Sequence, residues 1–181
     1  SAGLFRVGIG SRQRDHHLSH LKVTGGPWNM TVLYVDADAC PVKDETIRVG
    51  ERHKVRIVFV SNSWMRLPDG DLIERVVVPE GPDEADNWIA DRSGPGDVVI
   101  TADVPLAARC VKTGAQVLSP NGKPFREDAI GMRLAMRDLN THLREIGEIR
   151  EGGPSFTKQD RSRFLNQLET VMWAAKRQSG A

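Results

Sequence analysis

The chain has 181 residues, 39% of them hydrophobic and 27% charged, with a formal net charge of +1. That length and balance fit one globular domain with a sizeable core and exclude a disordered chain. No apolar run is long enough to span a bilayer, and no global field draws the protein towards nucleic acid or acidic lipid.

Residues 1–29 show no apolar period. Gly3, Gly8, Gly10, Gly25 and Gly26 are mixed with Arg12, Arg14, His16, His17 and His20. An apolar stretch ending at a small-residue cleavage site is missing, which argues against a secretory signal. The segment reads as a tag remnant, an over-long start or a disordered tail, ahead of a domain expected over 30–178. Setting aside Arg6, Arg12, Arg14 and Lys22 against Asp15 turns the remaining net charge negative. Cys40 and Cys110 each fall inside a predicted element. Two such cysteines point to a reducing compartment, the cytoplasm, and away from disulfides or structural zinc.

From Met30 onward, short β-rich runs alternate with helical segments. The pattern predicts strands at 31–36, 55–60, 74–78, 97–101 and 115–118. It predicts helices at 41–54, 83–93, 104–112, 127–147 and 157–177. Alternation of this kind implies right-handed crossovers, hence a three-layer α/β domain with a five-stranded, mainly parallel sheet. Gly81-Pro82, Gly94-Pro95-Gly96, Gly114 and Gly152-Gly153-Pro154 punctuate the joints. In the helix at 127–147, Met132, Met136, Leu139, Leu143 and Ile146 step by four and three as a core-facing stripe. Arg126, Arg133, Arg137 and Arg144 fall on a second line. They could track the phosphates of RNA or DNA, or form an ordinary solvated face. In the last helix, Thr157 with Asp160 approximates a capping box, and Phe164, Leu168, Val171 and Ala175 share one side.

The chemistry concentrates at Asp36-Ala37-Asp38-Ala39-Cys40-Pro41, which follows the apolar run Val32-Leu33-Tyr34-Val35. A strand ending on two carboxylates, then a proline able to open a helix, reads as strand–loop–helix. Val98-Val99-Ile100-Thr101-Ala102-Asp103 repeats the move. Ligands of open parallel sheets bind beyond the carboxyl ends of the strands. Each acid also has a plain structural reading: Asp38, Asp83 and Asp103 sit where they would cap helices, and Asp86 suits a helix dipole. Asp36 comes too early to cap anything. Convergence of Asp36, Asp38 and Asp103 with Asp83 or Asp86 would demand a compensating cation or proton, and hard oxygen ligands suit Mg²⁺ or Mn²⁺. Lys43 could neutralise a substrate phosphate. Ser61, Asn62 and Ser63 lie on the same sheet edge and could hold one, as a polar turn equally well explains. Trp64 could stack on a base. Cys40 reads as a small packed residue, since nearby carboxylates would raise its thiol pKa.

Asp36 to Lys43, Asp83-Glu84-Ala85-Asp86, Thr101 to Ala107 and Gly152 to Arg161 together resemble the YaiI/YqxD family of small bacterial proteins of undetermined function. That family in turn resembles PIN-like nuclease domains, through a strand-end Asp, an acidic helix after the third strand and a Thr-x-Asp after the fourth. The resemblance implies PIN-like topology and a Mg²⁺- or Mn²⁺-dependent phosphodiesterase acting on nucleic acid. Asp36, Asp38 and Asp103 would hold the ion, with Asp83 or Asp86 as outer ligand, and Thr101 would help to bind the substrate. Two rivals remain. One is a haloacid-dehalogenase-like phosphatase with Asp36 as nucleophile, although Pro41 leaves little room for its flap. The other is a non-catalytic module that binds nucleic acid or protein.

Overall fold

A computed structural model describes residues 31–38, 40–132, 134–136 and 156–179. The expected tail at 1–29 lies outside them. So do Arg133, Arg137, Arg144, the end of the helix at 127–147 and the Gly152-Gly153-Pro154 joint.

The strands are β1 (Val32–Asp36), β2 (Arg56–Ser61), β3 (Ile73–Val77), β4 (Val98–Ile100), β5 (Gln116–Leu118) and β6 (Pro124–Phe125). The helices are α1 (Lys43–Arg52), α2 (Glu84–Arg92), α3 (Val104–Lys112) and α4 (Lys158–Ser179). A further helical stretch covers 127–132 and 134–136. The strands form one sheet in the order β3-β2-β1-β4-β5-β6. Its first five members are parallel, and β6 pairs antiparallel to β5. The sheet therefore has six strands, not the five expected. β6 is two residues long and opens on a proline, too short to leave a periodic signal.

Successive strand residues alternate between the two faces. Leu33, Val35, Ile57, Phe59, Val98, Ile100 and Leu118 face a core shared with α1 and with Phe164, Leu168, Val171, Met172 and Ala175 of α4. Tyr34, Val58, Val60, Val99 and Val117 face the opposite core, shared with Ala85 and Ile89 of α2 and Leu106, Ala107 and Cys110 of α3. Helix α1 lies close on the sheet at Gly50, where a Cβ would stand 2.5 Å from the Ile57 side chain. The expected α4 stripe is buried, and its capping box is formed. The Thr157 amide donates to Asp160 Oδ2 at 2.9 Å, and the Asp160 amide donates to Thr157 Oγ1 at 3.1 Å.

Met132 and Met136 depart from expectation. They are exposed at 74% and 50% rather than core-facing. In that helical stretch Ile130 is the buried residue. Periodicity identifies an apolar side of a helix but does not say what that side meets.

Candidate active site in an acidic crevice

From β1 the chain crosses by α1 to β2 on one side. From β4 it crosses by α3 to β5 on the other. The neighbouring pair β1–β4 is therefore the point where the winding reverses and opens a crevice at the strand ends. Asp36 closes β1 and, by alternation from Tyr34, points to the face covered by α2 and α3.

Thr101 links the two strand ends. Its hydroxyl donates to Asp36 Oδ2 at 2.9 Å and accepts the Asp103 amide at 3.0 Å. Asp103 occupies the N-cap of α3, where its Oδ1 accepts the Leu106 amide at 2.9 Å, as the capping reading expects. Asp38 does not cap a helix. The N-cap of α1 is Val42, without a side-chain bond, and the Asp38 carboxylate instead accepts the Asn62 amide at 3.0 and 3.3 Å. Asp83 occupies the N-cap position of α2 but makes no side-chain cap bond. It lies exposed, three residues before the half-buried Asp86.

These carboxylates act on one another. Burial, followed by the charges of Asp103, Asp36 and Asp83, pushes the Asp86 carboxyl up to about 6. Arg109 opposes this, and its guanidinium donates to Asn87 Oδ1 at 2.8 Å on α2. Burial also raises Asp36, with smaller contributions from Asp38 and Asp103, while the Thr101 hydrogen bond pulls the other way. Asp36 is thus coupled to Asp38 and Asp103, and Asp86 to Asp103, Asp36 and Asp83. Among the described residues, no three His, Cys, Asp or Glu side chains are grouped so that they could hold a metal ion between them. The set is a loose acidic crevice rather than a closed ligand cage.

The remaining candidates take other positions. The Lys43 ammonium donates to the Cys40 carbonyl at 3.2 Å, so it stiffens the loop after Asp38. Arg161 of α4 holds the same loop, donating to the Pro41 carbonyl at 3.2 Å and to Glu45 Oε1 at 2.7 Å. Ser61 is fully buried, and its hydroxyl donates to the Ser63 carbonyl, so it is spent on the turn. Asn62 meets the crevice through its backbone, while Ser63 is exposed. Thr101 is likewise buried at 1% exposure, and its hydroxyl is committed to Asp36 and Asp103. Cys40 is buried, which raises its thiol, in keeping with a packing role. Sequence reasoning missed Arg109, and it expected Asn62 to hold a phosphate rather than to hold Asp38 through its backbone amide. Both act across elements distant in sequence, and neither has a local signature.

A model of the uncharacterised YaiI/YqxD family matches residues 34–174. A UPF0178 protein of Parvibaculum lavamentivorans is 57% identical over 148 residues, covering 82% of this chain and 97% of the relative. A UPF0178 protein of Rhodopseudomonas palustris is 58% identical over 142 residues, covering 78% and 87%. One of Gluconobacter oxydans is 56% identical over 149 residues, covering 82% and 85%. No solved structure matches the chain.

Proposed function

The chain belongs to the YaiI/YqxD family, and from that premise we propose that it is a Mg²⁺- or Mn²⁺-dependent phosphodiesterase acting on nucleic acid, with PIN-like topology. One observation carries the reading: the Thr101 hydroxyl joins Asp36 at the end of β1 to Asp103 at the start of α3, in a crevice where burial first, and the neighbouring carboxylates after it, raise Asp36 and Asp86. Repulsion among these acids calls for a cation or a proton in the crevice.

The donor chemistry fits a hard cation, since every candidate ligand atom is a carboxylate oxygen. A loose set of acids suits Mg²⁺, which keeps several waters and commonly takes one or two carboxylates plus substrate phosphate. Asp36 and Asp103 would hold the ion, with Asp38 and Asp86 acting through water. When bound, it would lower the pKa of a water and offset charge on the scissile phosphate.

The chain's own residues do the rest. Thr101 Oγ1 fixes the rotation of the Asp36 carboxylate, and the Asn62 amide fixes that of Asp38. In the metal-free crevice the Asp86 carboxyl is pushed up to about 6, by burial first and then by the charges of Asp103, Asp36 and Asp83, so it would give up a proton as a cation enters. Lys43 and Arg161 hold the loop between Asp38 and α1 against movement. Both cysteines are free and buried, which accords with a reducing cytoplasm. No helix among the described residues is long and apolar enough to cross a membrane.

Hydrolysis of a labelled single-stranded oligonucleotide in Mn²⁺ tests this reading. Activity should fall by at least about a hundredfold in Asp36→Asn and in Asp103→Asn. Undiminished hydrolysis in either variant would refute it.

A further inference from the structure

Trp64 stands two residues beyond Asn62, the residue whose amide holds Asp38. Two residues span at most about 7 Å between Cα atoms, so the indole starts at the rim of the acidic crevice. It is 68% exposed. An indole left in water forgoes the burial that its large apolar area would normally gain. Its setting is nevertheless ordered. Met65 and Leu67, just beyond it, pack into the core on the α1 side of the sheet. From β3, the Arg75 guanidinium lies over the ring at 4.7 Å from the centroid. The Arg75 Nε is buried with no hydrogen-bond partner among the described residues, so this cation is partly desolvated and its attraction to the ring is strengthened. The result is a flat aromatic surface with one face backed by a cation and the rest open to solvent.

We propose that Trp64, backed by Arg75, is a stacking subsite for an unpaired nucleobase, and that the substrate is single-stranded nucleic acid. This rests on the phosphodiesterase reading of the neighbouring crevice. Every base has a π-face, so such a platform accepts any sequence but requires the base to be out of a duplex. A base seated on Trp64 lies on the loop whose Asn62 amide holds Asp38, so the strand would approach the crevice from the Asp38 side. Arg66, exposed and two residues further along the loop, is available to the backbone on the far side.

The test is fluorescence anisotropy with labelled five-nucleotide single strands, DNA and RNA, and with a blunt hairpin, all in chelator so that no hydrolysis occurs. We expect the parent chain to bind single strands and not the hairpin. Trp64→Ala should weaken binding roughly tenfold, and Trp64→Phe should retain most of it. Arg75→Gln should give an intermediate loss. The Tm of Trp64→Ala should fall by no more than a few degrees, because the ring is mostly in water and loses only its contact with Arg75. Asp36→Asn should bind at least as tightly as the parent, since it removes a negative charge near the phosphates. Equal affinity of the parent and Trp64→Ala, or absence of single-strand binding by the parent, overturns the stacking site and leaves the hydrolytic reading standing. Loss of binding in Trp64→Ala, together with undiminished hydrolysis by Asp36→Asn, keeps the stacking site and removes the hydrolytic centre.

Discussion

Thr101 donates its hydroxyl to Asp36 Oδ2 at 2.9 Å, and this single bond ties the end of β4 to the end of β1. It sets the orientation of the carboxylate on which the proposed chemistry turns. Thr101→Val keeps the shape and removes the donor, leaving a half-buried carboxylate without it. The Asp36 pKa should rise further, because the Thr101 bond is what opposes burial there. Activity in the variant should need a higher pH than in the parent, which a pH–rate profile of the two proteins will read.

Neutralising an acid in the crevice should stabilise the metal-free chain. Asp36→Asn, Asp86→Asn and Asp103→Asn each remove one repelling charge. In the first of these, the new amide oxygen can still accept from Thr101. Asp103→Asn retains a cap-forming side chain. Melting in chelator should show Tm unchanged or raised by a few degrees for all three. Mn²⁺ at a hundredfold excess over Kd should stabilise the parent by roughly 2.7 kcal/mol and the variants by much less. A parent melting point indifferent to both Mn²⁺ and Mg²⁺ would remove the ion from the mechanism.

The raised Asp86 also predicts the sign of a pH dependence. The folded chain keeps this proton up to about pH 6, whereas an ordinary aspartate loses it near 3.8. Between those values the folded state binds more protons, so this group's stabilising contribution is full below the lower value and is lost as pH rises through the upper one. Asp36 shifts in the same direction. Urea midpoints from pH 4 to 8 should therefore separate the variant from the parent, with Asp86→Asn gaining relative stability towards neutral pH.

Gly122 sits at φ +85 in the turn between β5 and β6, against the backbone of α4. A Cβ there would come within 2.6 Å of Arg163 C and Phe164 N. Backbone cannot yield as a side-chain tip does. Gly122→Ala should cost at least about 2 kcal/mol and lower Tm by several degrees. Gly131→Ala is the control: nothing lies within 4 Å of its added Cβ, and helix propensity favours the change by up to about 1 kcal/mol.

Removing the α4 cap should have a smaller effect. Thr157→Ala deletes the acceptor of the Asp160 amide and should cost about 1 kcal/mol, seen as a loss of roughly 2–4 °C in Tm.

How much of this is legible in the chain depends on distance along it. The α4 cap and stripe can be read because Thr157, Asp160, Phe164 and Leu168 interact within a few turns. The strand-end acids can be read because a β-rich run stopping on Asp36 or ending near Asp103 carries its own punctuation. Asp38 reads locally as a cap, but its true partner, the Asn62 amide, follows β2 and leaves no trace nearby in sequence. Ser61 looks available, yet its hydroxyl turns back to Ser63 from a fully buried position. β6 escapes because a two-residue strand headed by Pro124 is set by its pairing with β5 and by the burial of Phe125, neither of which shows locally in sequence. Met132 and Met136 show the converse, a helical period with no core beneath those two residues.

The reversal between β1 and β4 also has a consequence in time. Asp36 and Thr101 are 65 residues apart, and β2, β3 and α2 all lie between them. Closing a loop of that length costs on the order of 4 kcal/mol of chain entropy before any contact repays it. During synthesis Asp36 and Asp38 emerge long before Thr101 and Asp103, so the crevice cannot exist on a nascent chain that has not yet reached α3. A chain that has lost the β1–β4 ladder, by local opening or by truncation, carries the same carboxylates dispersed. Whatever the crevice acts on, it can do so only in a molecule whose fold is already complete.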